Sequence, residues 1–203
     1  MKFDILFPIL LKMASFEYPD IGSAKYVKHV EGIRTMTNLY VEVGGKGEVV
    51  SPEVDPLLLA IIGYEESRHG PLVQDGDCTK LPSGTKCNAF GPMQISKAMP
   101  YLLKGIDPKW AGATETKLRD PRANVEAAYT LLRYWKAECK GGPDTWLGSY
   151  MAGKCLRSIP QGRKRCVLTH ALGKATGIEV PACTAVTGAD LRTLRLTRFI
   201  EKP

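Results

Sequence analysis

Two adjacent acids, Glu65 and Glu66, stand at the far end of the apolar run Leu57-Leu58-Leu59-Ala60-Ile61-Ile62. A carboxyl group delivered by the last turn of a buried helix is suited to general-acid work. Low polarity raises its pKa, so the protonated form survives at neutral pH. Neighbouring helical residues point about 100° apart, so only one of the two acids can face a cleft. An acid at a helix C-terminus also opposes the helix dipole and needs a reason to be there. Ser67 follows at once, and a segment with Asp75, Asp77, Cys78 and Cys87 leads to Phe90-Gly91-Pro92-Met93-Gln94-Ile95.

The elements that must position these groups read as mostly α. The run from Pro56 to about Ser67 is apolar nearly all round, the pattern of a central helix. Ser51-Pro52-Glu53 and Asp55-Pro56 are both possible starts for it. Residues 2–39 carry apolar residues at three- and four-residue intervals, and Pro8, Pro19 and Gly22 are expected to break that run into pieces. The Gly-, Pro- and Asp-rich stretch 70–89 predicts a loop or a small hairpin. A short helix follows from Met99 to Leu103. Asp120-Pro121 opens a longer one that contains Asn124 and ends before Gly141-Gly142-Pro143. Asp144 to Met151 forms another. Arg157 to Arg165 reads as a basic loop, Val167 to Leu172 as the last core helix, and the tail after Gly188 alternates Leu and Arg.

The chain has 203 residues, enough for one domain with extensions and a sizeable core. A formal charge of +7 suits polyanionic surroundings: nucleic acid, anionic lipid or bacterial wall. The arginines at 157, 163, 165, 192, 195 and 198, with Lys164, come with no nucleic-acid recognition motif. They read as a solvated face or a dock for anionic wall polymers or a partner protein. No apolar run reaches the length of a membrane span. Six cysteines at wide spacing favour disulfides over zinc and an oxidising, extracytoplasmic setting. Cys78–Cys87 is the preferred pair and Cys155–Cys166 the next, on proximity. His29 and His170 have no partners in sequence, so no metal or cofactor is expected. His69, beside Arg68, reads as a surface histidine. Trp110, Trp135 and Trp146 include possible sugar-stacking rings, two of them in helical patterns that favour the core.

Three stretches in order resemble the lysozyme-like family of goose-type lysozymes and soluble lytic transglycosylases. Glu66-Ser67 resembles the Glu-Ser pair that ends the family's catalytic helix. Phe90-Gly91-Pro92-Met93-Gln94-Ile95 resembles its Gly-Leu-Met-Gln run, with Pro92 for leucine. Ser149-Tyr150-Met151-Ala152-Gly153 resembles its Tyr-Asn-Ala-Gly segment, with Met151 for asparagine. Gly76-Asp77 and Asn88-Ala89-Phe90-Gly91 resemble the goose-type branch, although Ser96 stands where that branch has an aspartate.

The resemblance implies a peptidoglycan muramidase that cuts the MurNAc-β-1,4-GlcNAc bond without metal or cofactor. It selects Glu66 as general acid and leaves Glu65 a solvated or salt-bridged neighbour. It places Ser67, Met93, Gln94 and Ile95 along the substrate cleft, with the Tyr150 hydroxyl near Glu66. Two outcomes stay open. A lytic transglycosylase uses the same glutamate to draw the muramyl 6-hydroxyl onto the anomeric carbon; a hydrolase needs a water and usually a second carboxylate. Asp77 is the best candidate for that carboxylate and Asp75 the runner-up, and Ser96 tilts the choice slightly to transglycosylation. A non-catalytic wall-binding or virion module on the same fold is the competing class. The expected organisation is a helical extension at 1–50, a catalytic domain at 51–188 and a basic tail at 189–203. The expected partners are peptidoglycan strands and other virion or envelope proteins, with no nucleic acid. The amino terminus and extra helices point toward a phage virion as carrier.

Overall fold

The computed structural model describes residues 1–17, 24–69, 76–96, 99–155, 160–183 and 191–202. At its centre is α3 (Asp55–Ser67), buried from Asp55 to Tyr64. A helix that is apolar on every side is stable only inside other elements. Three do the enclosing: α2 (Ala24–Gly44), α6 (Pro121–Glu138) and α8 (Pro160–Thr176) all pack directly on it. The second of the two possible starts is the one used. Buried Asp55 accepts hydrogen bonds from the amides of Val49 (2.8 Å), Val50 (2.7 Å) and Ser51 (3.2 Å) and from the Tyr129 hydroxyl (2.5 Å). That carboxylate ties the incoming loop and α6 to the first turn of α3, where negative charge also suits the dipole.

After α3 the chain forms an antiparallel meander of β1 (Gly76–Leu81), β2 (Gly84–Phe90) and β3 (Ile95–Ser96). The register sets Cys78 opposite Cys87, and Ala89 opposite Ser96. Cys87 is disulfide-bonded; the side chain of Cys78 lies outside the described residues. Then come α4 (Met99–Ile106), a 3-10 turn at Pro108–Trp110, α5 (Glu115–Arg119) and α6, which Asp120 caps by accepting the Ala123 amide at 2.8 Å. α7 (Pro143–Ala152) ends on Gly153, whose φ of 64° suits a left-handed helix stop.

Several expectations need correction. Pro8 does not break α1 (Phe3–Glu17); the helix continues past it. Only one backbone hydrogen bond is lost there, and burial of Leu6, Leu10 and Met13 outweighs it. Residues 163–165 are not in a loop but on α8. Nor is 167–172 the last core helix, because α9 (Leu191–Glu201) follows and buries Leu196 and Ile200. The Leu/Arg pattern of the tail is thus that of an amphipathic helix. α9 lies against α1, where the rings of Phe16 and Phe199 meet at 5.5 Å.

Cys155 does not pair with Cys166. The bridges are Cys139–Cys155 and Cys166–Cys183, with Cα separations of 5.3 and 6.1 Å. The first closes the hairpin of α6 and α7. Cys166 is buried in the core on α8, where Cys183 meets it. All three tryptophans are buried, so none offers a stacking face to a sugar.

The crossing of α7 and α8 is unusually tight. A Cβ at Gly162 would lie 1.9 Å from the Asp144 carbonyl oxygen and 3.0 Å from the Gly148 Cα. Backbone meets backbone there, and only glycine permits it. Arg165, three residues on, is thereby pressed into the core beside α7.

Candidate active site

The two neighbouring acids part company at the end of α3. Glu65 turns to Lys164 on α8 at 2.9 Å and to Arg68 at 3.7 Å, a salt-bridged neighbour as expected. Glu66 turns the other way, its side chain 19 % exposed, and Oε1 accepts a hydrogen bond from Nη2 of Arg165. Burial raises the Glu66 carboxyl above the usual range, against the opposing charge and hydrogen bond of Arg165. Repulsion from Glu65 adds to the rise, and Arg68 works against it. Ser67 uses its hydroxyl on the Gly63 carbonyl at 3.3 Å.

Two consecutive left-handed residues, Arg68 (φ 55°) and His69 (φ 60°), stop the helix just after these acids. Their amides close on the carbonyls of Tyr64 (3.0 Å) and Gly63 (3.1 Å). The turn folds His69 inward. It is 1 % exposed, with Nδ1 3.1 Å from the Tyr40 hydroxyl and its ring against those of Tyr40 and Tyr64. The surface placement expected for His69 is therefore wrong, because the reversed backbone carries it beneath the helix. Burial, with help from the charges of His29 and Arg68, pushes its pKa down to about 3. Tyr40, from α2, reaches this spot because Gly63 has no side chain; a Cβ there would lie 1.8 Å from its hydroxyl.

The third stretch is a tight turn. The Gln94 amide donates to the Gly91 carbonyl at 3.0 Å, which puts Pro92 at the second turn position, where its fixed φ is favourable. The departure from leucine thus fits the local backbone. Buried Asn124 clamps the turn: Oδ1 accepts the Met93 amide at 2.6 Å, and Nδ2 donates to the carbonyls of Phe90 (2.9 Å) and Leu118 (2.7 Å). Gly91, at φ 71°, lies so close that a Cβ would sit 2.5 Å from the Leu118 carbonyl. Gln94 takes a left-handed φ of 49° and donates from Nε2 back to the Gly91 carbonyl at 2.8 Å. Its amide oxygen lies under Gly76 of β1, where a Cβ would come within 1.7 Å.

The side chains of Met93 and Ile95 are buried in the core. The Met93 backbone joins two elements instead, since its carbonyl accepts the Tyr150 hydroxyl at 2.8 Å. Burial first, and the Glu66 charge second, hold the Tyr150 hydroxyl well above its ordinary pKa. Asp77 stands in β1, and its side chain, like all of Asp75, lies outside the described residues. So does the side chain of Met151.

Arg165 and Asn124 are the residues whose parts the sequence did not disclose. Arg165 is 3 % exposed; Nη1 donates to the Leu147 carbonyl at 3.0 Å and the guanidinium lies 5.5 Å from the centre of the Tyr150 ring. In sequence it looks like one member of a basic run. A helical reading of 165–172 contains a usable signal, because Arg165, Leu168, Thr169 and Leu172 fall on one face and all are buried. Elsewhere, among the described residues, Cys166, His170 and Cys183 come within reach of a shared ion. The two thiols are consumed by their disulfide, so that group has no thiolate to offer.

A buried helix ending in a partly exposed glutamate, a clamped Gly-Pro-Met-Gln turn and a buried tyrosine bonded to that turn define a lysozyme-like domain. The transglycosylase SLT domain family model matches residues 47–160, more than half of the chain, and the chain belongs to that family. Comparison with curated proteins gives no match, and comparison with solved structures gives none. Family membership supports a peptidoglycan-cleaving function in general, and action outside the cytoplasm. Among the described residues no helix is long and apolar enough to cross a membrane.

Proposed function

We propose that the protein is a lytic transglycosylase that cuts the MurNAc-β-1,4-GlcNAc bond of peptidoglycan with Glu66 as its single acid/base. The observation that carries this reading is the state of Glu66. It is a part-exposed carboxyl on the last turn of a buried helix, raised in pKa by burial and faced by one buried guanidinium. The protonated carboxyl gives its proton to O4 of the departing GlcNAc. The C1–O4 bond breaks with its electron pair going to O4, and positive charge develops at C1 of the muramyl residue. The resulting carboxylate then takes the proton of the muramyl 6-hydroxyl. O6 attacks C1, a 1,6-anhydro ring forms, Glu66 is again protonated, and no water is consumed.

Tyr150 and Asn124 keep Gln94 and the Met93 carbonyl at a set position beside this centre. In this reading Gln94 bonds the sugars and Met93 and Ile95 act through the backbone, their side chains anchoring the turn. The disulfides at Cys139–Cys155 and Cys166–Cys183 suit an oxidising site of action. The test is mass spectrometry of the muropeptides released from purified sacculi. An anhydro end supports transglycosylation. A reducing end, heavier by one water, replaces it with hydrolysis and moves attention to Asp77. Sacculi bound but not cut would leave the fold as a wall-binding module.

A further inference from the structure

A carboxyl that gives a proton and later takes one back must be comfortable in both charge states. Burial alone would favour the neutral acid and make the conjugate base costly. A guanidinium at contact distance has the opposite influence. Glu66 has both, and the source of the second lies beyond residue 160, where the match to the family model ends.

Resting on the one-glutamate reading above, we infer that Arg165 is a positioning residue of the reaction. Its guanidinium aims the Glu66 carboxyl and supplies the counter-charge for the carboxylate that exists between the two proton transfers. The geometry carries this. Arg165 is held from two sides, with Nη1 on the Leu147 carbonyl and its planar group beside the Tyr150 ring. The free arm, Nη2, meets Glu66 Oε1. Its backbone is set by the glycine contact of α7 with α8 at Gly162, and its neighbour Cys166 is bridged to Cys183. A solvated arginine recruits a carboxylate at the expense of side-chain freedom; this one has lost that freedom before substrate arrives.

Among the described residues, the charged and titratable groups around Glu66 are few. Glu65 and Arg68 come from α3 and its end, Tyr150 from α7 and Arg165 from α8. Lys164 is taken up by Glu65. Tyr40, from α2, is felt at Tyr150, and buried His69 stays neutral over the working range. Arg165 is the cation in hydrogen-bond contact with the acid, so its removal raises the Glu66 pKa. The starting proton is then kept to higher pH, while the ionised intermediate becomes harder to form.

Arg165→Gln removes the charge and leaves a shorter amide side chain at the site; Arg165→Lys keeps the charge without the planar fork. The full-length chain is assayed for kcat against pH on a soluble glycan fragment, with carbon-13 NMR titration of the Glu66 carboxyl and a melting curve for each variant. For Arg165→Gln the alkaline limb of kcat and the Glu66 titration should both move up by about one unit or more. The maximal kcat should fall about tenfold or more. Arg165→Lys should leave the limb in place and recover kcat to within a few fold. A purely structural arginine predicts a lower kcat in both variants with an unmoved limb, and that result overturns the inference. If Arg165→Gln does not fold, Arg165→Lys decides by kcat: recovery to within a few fold supports the inference, and a loss of about tenfold or more in a variant that melts like the parent overturns it. Glu66→Gln is measured alongside. Retained activity there removes the one-glutamate reading itself, whereas an inactive Glu66→Gln with an unmoved Arg165→Gln limb removes only the role of Arg165.

Discussion

The two ends of α3 each carry a carboxylate, one buried and one part-exposed, and they are held in opposite ways. Asp55, at the first turn, accepts three backbone amides and the Tyr129 hydroxyl. Every part of it is engaged in joining the incoming loop to α6. Glu66, at the last turn, has one direct partner among the described residues, Arg165, and a part-exposed side chain. The dipole favours the first and opposes the second. A fully satisfied carboxylate serves the fold, and an incompletely satisfied one in low polarity can do chemistry. On the proposed reading, the same helix anchors itself at one end and presents a reagent at the other.

The sharpest way to break this comparison is to exchange the consequences. Glu66→Gln should lower cleavage of sacculi by about 10³-fold. Its amide oxygen still accepts the Arg165 hydrogen bond, so a cooperative melting transition should persist. Asp55→Ala should do the reverse. Three amides and a hydroxyl lose their acceptor, and stability should drop by about 3 kcal/mol in urea titration, with activity per folded molecule retained. Were Asp55→Ala as stable as the parent, the assignment of that end to the fold would be wrong.

Asn124→Ala probes the support of the turn rather than either acid. It leaves the Met93 amide unsatisfied, along with the carbonyls of Phe90 and Leu118, and should cost about 2 kcal/mol. The loosened Gln94 should also lower kcat about tenfold; a loss confined to stability would show that the turn tolerates movement.

His69 supplies a pH effect. Its folded pKa is near 3 and its ordinary value is 6.5, so the unfolded chain binds this proton more readily. The stability it contributes is complete above 6.5 and is lost as pH falls toward 3. Chemical denaturation across that window should show the decline. In His69→Gln the slope should flatten, and an unchanged slope would place the acid sensitivity elsewhere. Glu66 has the opposite sign, because its raised pKa makes the folded protein lose stability as pH rises through that value. The smallest effect expected is that of Tyr40→Phe, the loss of one buried hydrogen bond to His69, about 1 kcal/mol by thermal melting.

Much of the site was legible because its motifs are local. An apolar run ending in Glu65-Glu66-Ser67, a turn with glycine and proline, and a capped helix after Asp120 each depend on neighbours in sequence. The meander also follows from the Gly-rich stretch between them, and its register does set the backbone of Cys78 opposite that of Cys87. The departures share one cause. Pro8, the run at 163–165, the Cys155 pairing and the exposure of His69 read one way from adjacent residues, while distant residues decide burial. A proline stays in a helix when its apolar face is buried, and a histidine goes inside when the backbone after a helix turns left-handed.

The sequence by itself determined the fold class and the family, and it nominated Glu66, since hydrophobic periodicity and short motifs are properties of contiguous residues. The tertiary structure alone decided what stands opposite that glutamate. Arg165 lies 99 positions away, and the packing of α8 on α3 and, through Gly162, on α7 brings it within reach. Nothing in a linear run of basic residues tells which one will lose its water, because desolvation belongs to the packed core and not to the chain.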